Sequence, residues 1–440
     1  MPIILENEEL PRYLRVYQYY KELIMNGQLQ PDTKLPSIRK ASVQLQVSRT
    51  TMESAYLLLA AEGYIISKPQ SGYYVTDIGV KKREEDLPKV MANEVKSEIR
   101  YDFVTSNVDR DSFRFELWRR YMKSALRQDE RLLSYGEPQG EYDFREVLCS
   151  YLQKERSVVC TPEQIVIGAG VQSLLNILCP MLLNREKVAF YNPKFIQGLA
   201  VFEDYGFKIC SDKEELDGGI YYVSPSQLTK WGGVMNITER RNLLKDAQKK
   251  GYLIIEDDYN SEYRYSQKPM PSLQGLAGGH GVIYLGTFSK MLLPSIRMSF
   301  MVLPPELLHV YEKRKNMYNQ TASKAEQIAI TQFIRDGHLA SQIRKSRKIH
   351  SAKVMDLATT VERILGEKCE VSIGDMGFHV YVSLDIEMSA QEFAKRAKEK
   401  GVLVLPEMEK SEKKPQIMMN CANVSVEDYE AAVRILKECL

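Results

Sequence analysis

The stretch Tyr284-Leu-Gly-Thr-Phe-Ser-Lys290 decides the fold of the C-terminal part of this 440-residue chain, because it joins an apolar strand to a lysine. Around it, short apolar runs alternate with helix-like stretches of ordinary length. These runs cover residues 164–167, 187–191, 219–223, 252–256 and 281–285. Apolar strands that alternate with helices predict an α/β domain with a parallel sheet covered on both faces.

Polar motifs stand where the predicted strands end. They are Gly168-Ala-Gly170, Pro225-Ser226, Asp257-Asp258-Tyr259 and Thr287-Phe-Ser289-Lys290. Ligands of such sheets bind beside the ends of the strands, so we expect these motifs to form one site. A lone lysine after a strand is usually a surface residue. Neighbours with complementary chemistry argue for a functional lysine here.

Three side chains together match one cofactor. The carboxylate of Asp257 can keep a pyridine nitrogen protonated, the amine of Lys290 can condense with an aldehyde, and the guanidinium of Arg297 can bind a phosphate through two hydrogen bonds. Pyridoxal phosphate carries all three groups. The sequence therefore predicts a site for this cofactor.

From about residue 100 onwards, the chain resembles the fold-type I aminotransferases. The segment Ile255-Glu-Asp-Asp-Tyr-Asn-Ser-Glu-Tyr-Arg-Tyr265 is similar to the version found in the MocR/GabR branch of GntR-family regulators. The resemblance implies that pyridoxal 5'-phosphate is attached to Lys290, that Asp257 contacts its pyridine nitrogen, and that Tyr259 donates to its ring hydroxyl. It also implies phosphate contacts from Thr287, Ser289 and Arg297, a phosphate-binding helix start at Gly170, Val171 and Gln172, and stacking by Phe195. Taken alone, Phe195 is equally well explained as a core aromatic residue.

The first 76 residues carry a second pattern. Residues 10–25 have apolar positions at helical spacing, and Gly27 is typical of a helix end. A short helix follows Leu35-Pro-Ser-Ile-Arg39, and residues 47–59 predict another helix with Ser48 as its N-cap. Residues 63–75 predict two strands around a Pro/Gly turn, which is a wing.

This block resembles the winged helix-turn-helix domain of GntR-type regulators over nearly its whole length. The resemblance implies a double-stranded DNA operator as partner, contacted by Arg39, Ser48, Arg49, Thr50, Thr51, Ser71 and Gly72. Hydroxyls and amides can position phosphates, and arginine can read guanine. Residues 34–73 hold five basic and two acidic side chains, an excess that ordinary surface charge explains equally well. Gln46 stands where the family usually has glycine, so we expect a strained or altered turn.

We therefore predict an α+β winged helix-turn-helix domain over residues 1–76 and a polar linker over residues 77–100. An α/β aminotransferase-like, pyridoxal phosphate-dependent fold-type I domain follows over residues 101–440, with a small C-terminal subdomain from about residue 345. The linker composition suits relative motion of the two domains. The resemblance implies a homodimer, because fold-type I active sites lie at a subunit interface.

The amino-acid composition further narrows the class of protein to which this chain can belong. There is no signal peptide and no apolar run that could span a bilayer, so we expect a cytoplasmic protein without a membrane partner. Seven scattered cysteines without C-x-x-C spacing suit reduced thiols. The five histidines show no ligand spacing, and we expect no metal site.

The substrate side of the predicted site departs from the family. Relatives hold a substrate carboxylate with an arginine, but the matching run Ile417-Met-Met-Asn-Cys-Ala422 puts Met418 there, and a second arginine position is Gln197. In a further loop, three family positions become Leu228, Thr229 and Lys230. Each lost charge-assisted hydrogen bond removes ~1.5–3 kcal/mol, so ordinary amino acids should bind poorly. We expect no efficient transamination.

Three hypotheses follow. The leading hypothesis is a transcription regulator that holds pyridoxal phosphate on Lys290 and senses either an amine effector without the usual carboxylate or pyridoxal phosphate itself, as a signal of vitamin B6 supply. The second is a working aminotransferase with a tethered DNA-binding domain. The third is a DNA-binding protein whose large domain is a cofactor-free dimerisation scaffold.

Overall fold

The computed structural model describes residues 10–69, 71–77, 99–105, 108–193, 195–226, 233–259, 261–263, 270–374, 378–407 and 414–440. The chain forms two compact units, Met1–Glu94 and Val95–Leu440, here called the small unit and the large unit. Most of the predicted linker, residues 78–98, lies outside the described residues. The boundaries at residues 76, 100 and 345 stay predictions.

The small unit consists of three helices followed by a hairpin. Its elements are α1 (Arg12–Met25), α2 (Ile38–Gln44), α3 (Arg49–Ala61), β1 (Ile65–Lys68) and β2 (Gly72–Val75). The apolar face of α3 predicted from the sequence is buried, with Met52, Tyr56 and Leu59 fully inaccessible. β1 and β2 pair antiparallel, with Ile65 opposite Val75. The predicted helix-turn-helix and wing are confirmed.

The turn between α2 and α3 carries the expected strain. Gln46 has φ +54°, in the left-handed region that glycine adopts most easily. Two residues later, the Ser48 hydroxyl accepts a hydrogen bond from the Thr51 amide at 3.1 Å and so caps α3. The altered turn therefore keeps both helices.

The large unit is built from many helices and strands. Its helices are α4 (Phe115–Ala125), α5 (Asp129–Leu132), α6 (Tyr142–Arg156), α7 (Val171–Leu178), α8 (Ile196–Asp204), α9 (Ile237–Lys250), α10 (Leu273–Leu276), α11 (Phe288–Met291), α12 (Pro305–Arg314), α13 (Lys324–Arg335), α14 (His338–Leu365), α15 (Ala390–Glu399) and α16 (Tyr429–Lys437). Its strands are β3 (Tyr101–Asp102), β4 (Ile165–Gly168), β5 (Lys187–Phe190), β6 (Lys208–Cys210), β7 (Ile220–Val223), β8 (Leu253–Asp257), β9 (Val282–Thr287), β10 (Ser299–Val302), β11 (Cys369–Ile373), β12 (His379–Leu384), β13 (Val402–Leu403), β14 (Leu405–Glu407) and β15 (Gln416–Asn420).

The central sheet has the strand order β4-β10-β9-β8-β7-β5-β6 and is mixed. All five predicted strands are present, but β10 pairs antiparallel with both β4 and β9. The five predicted strands run parallel to one another, as predicted, and the sheet is mixed because β10, which the sequence did not predict, runs antiparallel to them. A parallel return needs a crossover of a dozen or more residues, whereas residues 288–298 turn back at the end of β9.

Both faces of the central sheet are covered, as predicted. Ile165 and Ile167 on β4 belong to the apolar core of one face, and Val166 belongs to that of the other. The first core includes Phe144 of α6, and the second includes Leu174 of α7. Because both faces of the sheet are covered, the ends of its strands are the part that remains accessible to a ligand.

A second, antiparallel sheet has the order β11-β12-β15-β14. Val380 and Val382 on β12, with Ile417 and Met419 on β15, pack into a core shared with α14 and α16. Alternate residues of β15, including Met418, therefore lie on the opposite face. β13 pairs with β3 in parallel.

Candidate cofactor site and nucleic-acid interface

A cavity of about 640 Å³ lies at the ends of the central strands. Its lining includes every residue predicted for the cofactor: Gly170, Val171, Gln172, Phe195, Asp257, Tyr259, Thr287, Ser289, Lys290 and Arg297. Five further lining residues are Asn192, Gln197, Ser224, Pro294 and Ser299. The structure therefore brings together, in one cavity, residues that are far apart in the sequence.

Asp257 forms the acidic end of this cavity, at the end of β8. Burial raises the pKa of its carboxyl to about 6, a hydrogen bond from the Tyr222 hydroxyl at 2.7 Å opposes the rise, and the neighbouring charge of Asp258 adds to it. Burial also raises the pKa of Tyr259 to about 12, so its phenol remains a hydrogen-bond donor. A charged Asp257 is the group here that can hold a protonated nitrogen.

Lys290 lies on α11, directly after β9, and only 8% of it is exposed. Burial lowers the pKa of its amine to about 8. Its Nζ atom is 5.2 Å from the centre of the Phe378 ring, and its carbonyl accepts a 2.8 Å hydrogen bond from the Tyr263 hydroxyl. A lowered pKa increases the neutral fraction of the amine, which is the form that attacks a carbonyl group.

Gly170 and Arg297 lie together at one corner of the cavity. Gly170 caps α7 with φ +97°, and a Cβ atom there would lie 2.7 Å from Nη2 of Arg297. Glycine thus lets the guanidinium reach the N-terminus of the helix, where backbone amides favour an anion. Beside it, Thr287 Oγ1 accepts hydrogen bonds from the Ser289 amide at 3.2 Å and from the Ser299 hydroxyl at 3.0 Å.

Phe195 is positioned by a glycine one turn along α8. A Cβ atom at Gly198 would lie 2.2 Å from the Phe195 ring, so only glycine leaves room for the ring in this position. The ring centre is 5.5 Å from that of Tyr222, at a tilt of 35°. The Phe195 ring therefore lines the cavity next to Tyr222, the residue whose hydroxyl contacts Asp257.

The cavity fits the three groups of pyridoxal phosphate. It offers an acid for the pyridine nitrogen, an amine for the aldehyde, and a guanidinium with a helix N-terminus for the phosphate. The close approach of Arg297 to Gly170, which a Cβ atom would prevent, is the observation that favours an anionic ligand.

Sequence reasoning missed several lining residues. Asn192 and Ser224 belong to segments that the sequence singles out, so their place beside strand ends was a usable signal. Ser299 begins β10, a strand that the sequence analysis did not predict. Tyr222, which contacts Asp257 but is not among the lining residues, was hidden in an apolar strand, where a tyrosine resembles any core aromatic residue.

The residues that depart from the family pattern on the substrate side of the predicted site fall into three groups in the structure. Gln197 lines the cavity, as its predicted position requires. Met418 is half-buried on β15, opposite Tyr381 of β12. Leu228, Thr229 and Lys230 lie outside the described residues.

In the small unit, most of the predicted DNA contacts are accessible. Arg39, Ser48, Arg49, Thr50 and Gly72 are exposed, whereas Thr51 and Ser71 are half-buried. The Ser71 hydroxyl contacts the Tyr74 hydroxyl at 2.7 Å, and the Lys68 ammonium lies 4.4 Å from the Tyr74 ring centre. Lys68 is a basic residue of the wing that the motif did not include.

In the part of the chain that the structure describes, no helix is long and apolar enough to cross a membrane. Within the same residues, no group of three or more histidine, cysteine, aspartate or glutamate side chains is arranged to hold a metal ion.

Family profiles match both units. Residues 12–75 match the family of bacterial regulatory proteins of the gntR type, and residues 223–436 match aminotransferase classes I and II. The HTH-type transcriptional regulator YdeL of Bacillus subtilis is 35% identical, over 99% of this chain and 98% of its own length.

More distant relatives match most of the chain. The probable rhizopine catabolism regulatory protein MocR of Rhizobium meliloti is 27% identical, over 92% of this chain and 88% of its own. The pyridoxine biosynthesis regulator PdxR of Corynebacterium glutamicum is 25% identical, over 80% and 79%.

Solved structures agree on the fold of the large unit. The kynurenine aminotransferase of Pyrococcus horikoshii superposes with a TM-score of 0.66 and 23% identity, covering 78% of this chain and 91% of its own. The multiple substrate aminotransferase of Thermococcus profundus gives a TM-score of 0.67 with the same identity and coverage. These similarities establish a fold-type I aminotransferase architecture.

Proposed function

Because this chain belongs to the MocR/GabR subfamily of GntR-type transcriptional regulators, we propose that its large unit holds pyridoxal phosphate on Lys290 and that occupancy of this site controls DNA binding. The observation that carries the proposal is the convergence of Asp257, Lys290, Arg297 and Gly170 in one cavity. A scaffold has no physical need for this combination, which argues against the cofactor-free alternative.

Each residue has a distinct task in this proposal. Arg297 and the amides at the start of α7 bind the phosphate, and Asp257 holds a proton on the pyridine nitrogen. Tyr259 donates to the ring hydroxyl, and Phe195 covers one face of the ring. When bound, the cofactor supplies an aldehyde carbon that can exchange one amine for another. Lys290 is then the amine that an amine effector would displace, or the amine to which pyridoxal phosphate as effector would attach.

Two effectors fit the cavity about equally. An amine without a carboxylate is favoured by Met418 and Gln197, which the family resemblance places at the positions of carboxylate-binding arginines; Gln197 lines the cavity, whereas Met418 is not among its lining residues. Pyridoxal phosphate itself is favoured by the same two residues, because the residues on the cofactor side match the family while those on the substrate side do not. A regulator named for pyridoxine biosynthesis among the relatives supports this second reading.

A working aminotransferase is the second candidate function. The matching fold favours it, but an uncharged glutamine and a methionine at the carboxylate positions oppose it. Steady-state transamination of a common amino acid at about 1 s⁻¹ or faster, an ordinary enzyme rate, would establish this alternative.

Association of two chains would also set the spacing between the DNA half-sites that they bind. We propose a homodimer, as the aminotransferase fold suggests, whose two small units address half-sites that are separated by turns of about 34 Å. Differential affinity of the effector for two states of this dimer would drive the response.

The test measures DNA affinity as a function of ligand. Operator fragments are first selected from random DNA by the purified full-length protein, and their binding is then followed by fluorescence anisotropy. We expect saturating pyridoxal phosphate to change the affinity of the wild type by about 5-fold or more, and that of Lys290→Ala much less. An amine that reverses the change identifies an amine effector. Equal affinities with and without cofactor would overturn the proposal.

A further inference from the structure

Tyr222 connects the acid of the site to the aromatic residues around it. It lies on β7, one strand away from Asp257 on β8, and only 3% of it is exposed. Its hydroxyl donates to Oδ2 of Asp257 at 2.7 Å. Its ring stacks on Phe190 with 4.9 Å between centres and lies 5.5 Å from the ring of Phe195. Packing on two sides therefore fixes the direction of the hydroxyl.

The other titratable groups near Asp257 determine how this hydrogen bond affects its carboxyl. Asp258 follows in the chain, and its like charge together with burial disfavours the charged form of Asp257. Tyr259, Lys290 of α11 and Arg297 share the cavity with Asp257. The Tyr222 hydroxyl is the contact that lowers the pKa of Asp257 against burial and Asp258.

We propose that Tyr222 is a positioning residue that keeps Asp257 charged, so that the proton shared between this carboxylate and a bound pyridine nitrogen stays on the nitrogen. The Tyr222 hydroxyl donates to Oδ2, and a bound pyridine nitrogen would share the same carboxylate. The complex shares one proton between the carboxylate and the nitrogen: when an already protonated ring binds, the proton of a neutral Asp257 carboxyl leaves to the solvent, and no bond between heavy atoms changes. The inference rests on the proposed function, because it needs a bound pyridine ring.

The consequence is a defined dependence on pH. Without the hydroxyl, Asp257 needs a higher pH to lose its proton, because burial and Asp258 act unopposed. Above the pKa values of both the wild type and the variant, each carries a charged carboxylate and should bind the cofactor alike. Below both, the variant should bind more weakly by tenfold for each unit of pKa difference.

The experiment compares Tyr222→Phe with Tyr221→Phe. Tyr221 is also buried on β7, but its ring lies in a separate core with Tyr252, so this substitution removes a hydroxyl without touching Asp257. Dissociation constants for pyridoxal phosphate are measured by absorbance titration of the full-length apo-proteins between about pH 5.5 and about pH 8.5.

For Tyr222→Phe, we expect a dissociation constant about tenfold above wild type near pH 5.5, with the ratio falling towards one above about pH 8. Tyr221→Phe should give a ratio near one throughout. A purely structural role of Tyr222 would give a ratio that is the same at every pH, and this result would overturn the inference. Loss of binding at every pH by folded Tyr222→Phe would overturn it as well.

A second substitution covers the case in which Tyr222→Phe does not fold. Site-specific replacement of Tyr222 by a ring-fluorinated tyrosine keeps its shape and makes its hydroxyl a stronger donor. Binding should then persist to lower pH than in the wild type, and an unchanged profile would refute the role. If the wild type itself bound no cofactor, the proposed function would fail, whereas a pH-independent ratio in a cofactor-binding protein refutes only the role of Tyr222.

Discussion

Arg156 and Asp258 form a buried ion pair directly behind the candidate site. Nε of Arg156 is 2.6 Å from Oδ2 of Asp258, and Nη2 is 3.0 Å from Oδ1. Asp258 also accepts hydrogen bonds from Ser226 and Ser261, each at 3.0 Å, and from Tyr284. Although burial alone would raise it, the pKa of Asp258 is lowered, because Arg156 and these donors favour the charge. The pair therefore anchors the residue next to Asp257.

Removing Arg156 should be costly. In Arg156→Met the buried carboxylate of Asp258 loses its counter-charge, so we expect the free energy of unfolding to fall by about 3–5 kcal/mol. Arg434→Met is the control, because Arg434 pairs with Glu430 on the surface and should contribute about 0.5 kcal/mol or less. Urea unfolding of both variants measures the difference. Equal, small losses would show that Asp258 does not depend on Arg156.

Lys290→Met should stabilise the apo-protein. Folding lowers the pKa of this amine from 10.5 to about 8, so the folded state disfavours the protonated form. The penalty is fully present below about pH 8 and disappears as the pH rises towards 10.5. Below about pH 8, the variant should be more stable by on the order of 2–3 kcal/mol. Thermal unfolding at several pH values measures this gain, and a gain that does not shrink at high pH would contradict the explanation.

Gln46→Gly should stabilise the small unit. A side chain at φ +54° costs about 1–2 kcal/mol, part of which is offset by the greater freedom of glycine in the unfolded chain. We expect a net gain of about 0.5–1 kcal/mol, read as slower hydrogen exchange over residues 12–75 of the full-length protein. The opposite substitution is Gly63→Ala. Gly63 has φ +80° and open space around it, so an added side chain should strain only the backbone and should speed exchange. The same effect from both changes would refute the assignment of strain.

Arg49→Ala should weaken operator binding. Arg49 begins α3 and is exposed, as a residue that contacts DNA must be. We expect a loss of about 1–3 kcal/mol, with relaxed specificity if Arg49 reads a base, or a shallower salt dependence if it binds a phosphate. Arg12→Ala, at the start of α1 and outside the predicted contacts, is the control. Unchanged affinity for Arg49→Ala over a range of salt concentrations would remove Arg49 from the interface.

Met418→Arg should increase the response to amino acids. The substitution supplies the carboxylate-binding charge that the family resemblance implies for this position, so an amino acid should bind about 10- to 100-fold more tightly. Decarboxylated amines should gain nothing, and Met418→Leu should resemble the wild type. The measurement is an absorbance titration of cofactor-loaded protein. An arginine that makes no difference would place the carboxylate position elsewhere.

Much of the fold and of the site was predictable. Hydrophobic periodicity indicates where the strands lie, and the ends of parallel strands indicate where polar residues come together. The five apolar runs became strands, and Lys290, Asp257 and Gly170 line one cavity because the ends of parallel strands meet at one edge. The direction of β10 was not predictable from its composition, since a short buried strand has the same apolar pattern in either direction. The connection of residues 288–298 held the usable signal.

Contacts between distant side chains were beyond the sequence. Tyr222 sits in the run Ile220–Val223, whose apolar character describes burial but gives no hydrogen-bond partner for a hydroxyl. Arg156 ends α6 and looks like an ordinary basic residue of a last helical turn, yet its partner Asp258 is 102 positions away. Gln46 was different, because a residue other than glycine at a known turn position signals strain directly.

The most direct test of cofactor binding at Lys290 is the absorbance spectrum of purified wild type and Lys290→Ala after addition of pyridoxal phosphate. We expect a visible band that depends on Lys290, is present in the wild type and is absent from the variant. Titration with amines should then move the band if an amine is the effector. No band in the wild type, or the same band in both proteins, would contradict attachment of the cofactor at Lys290.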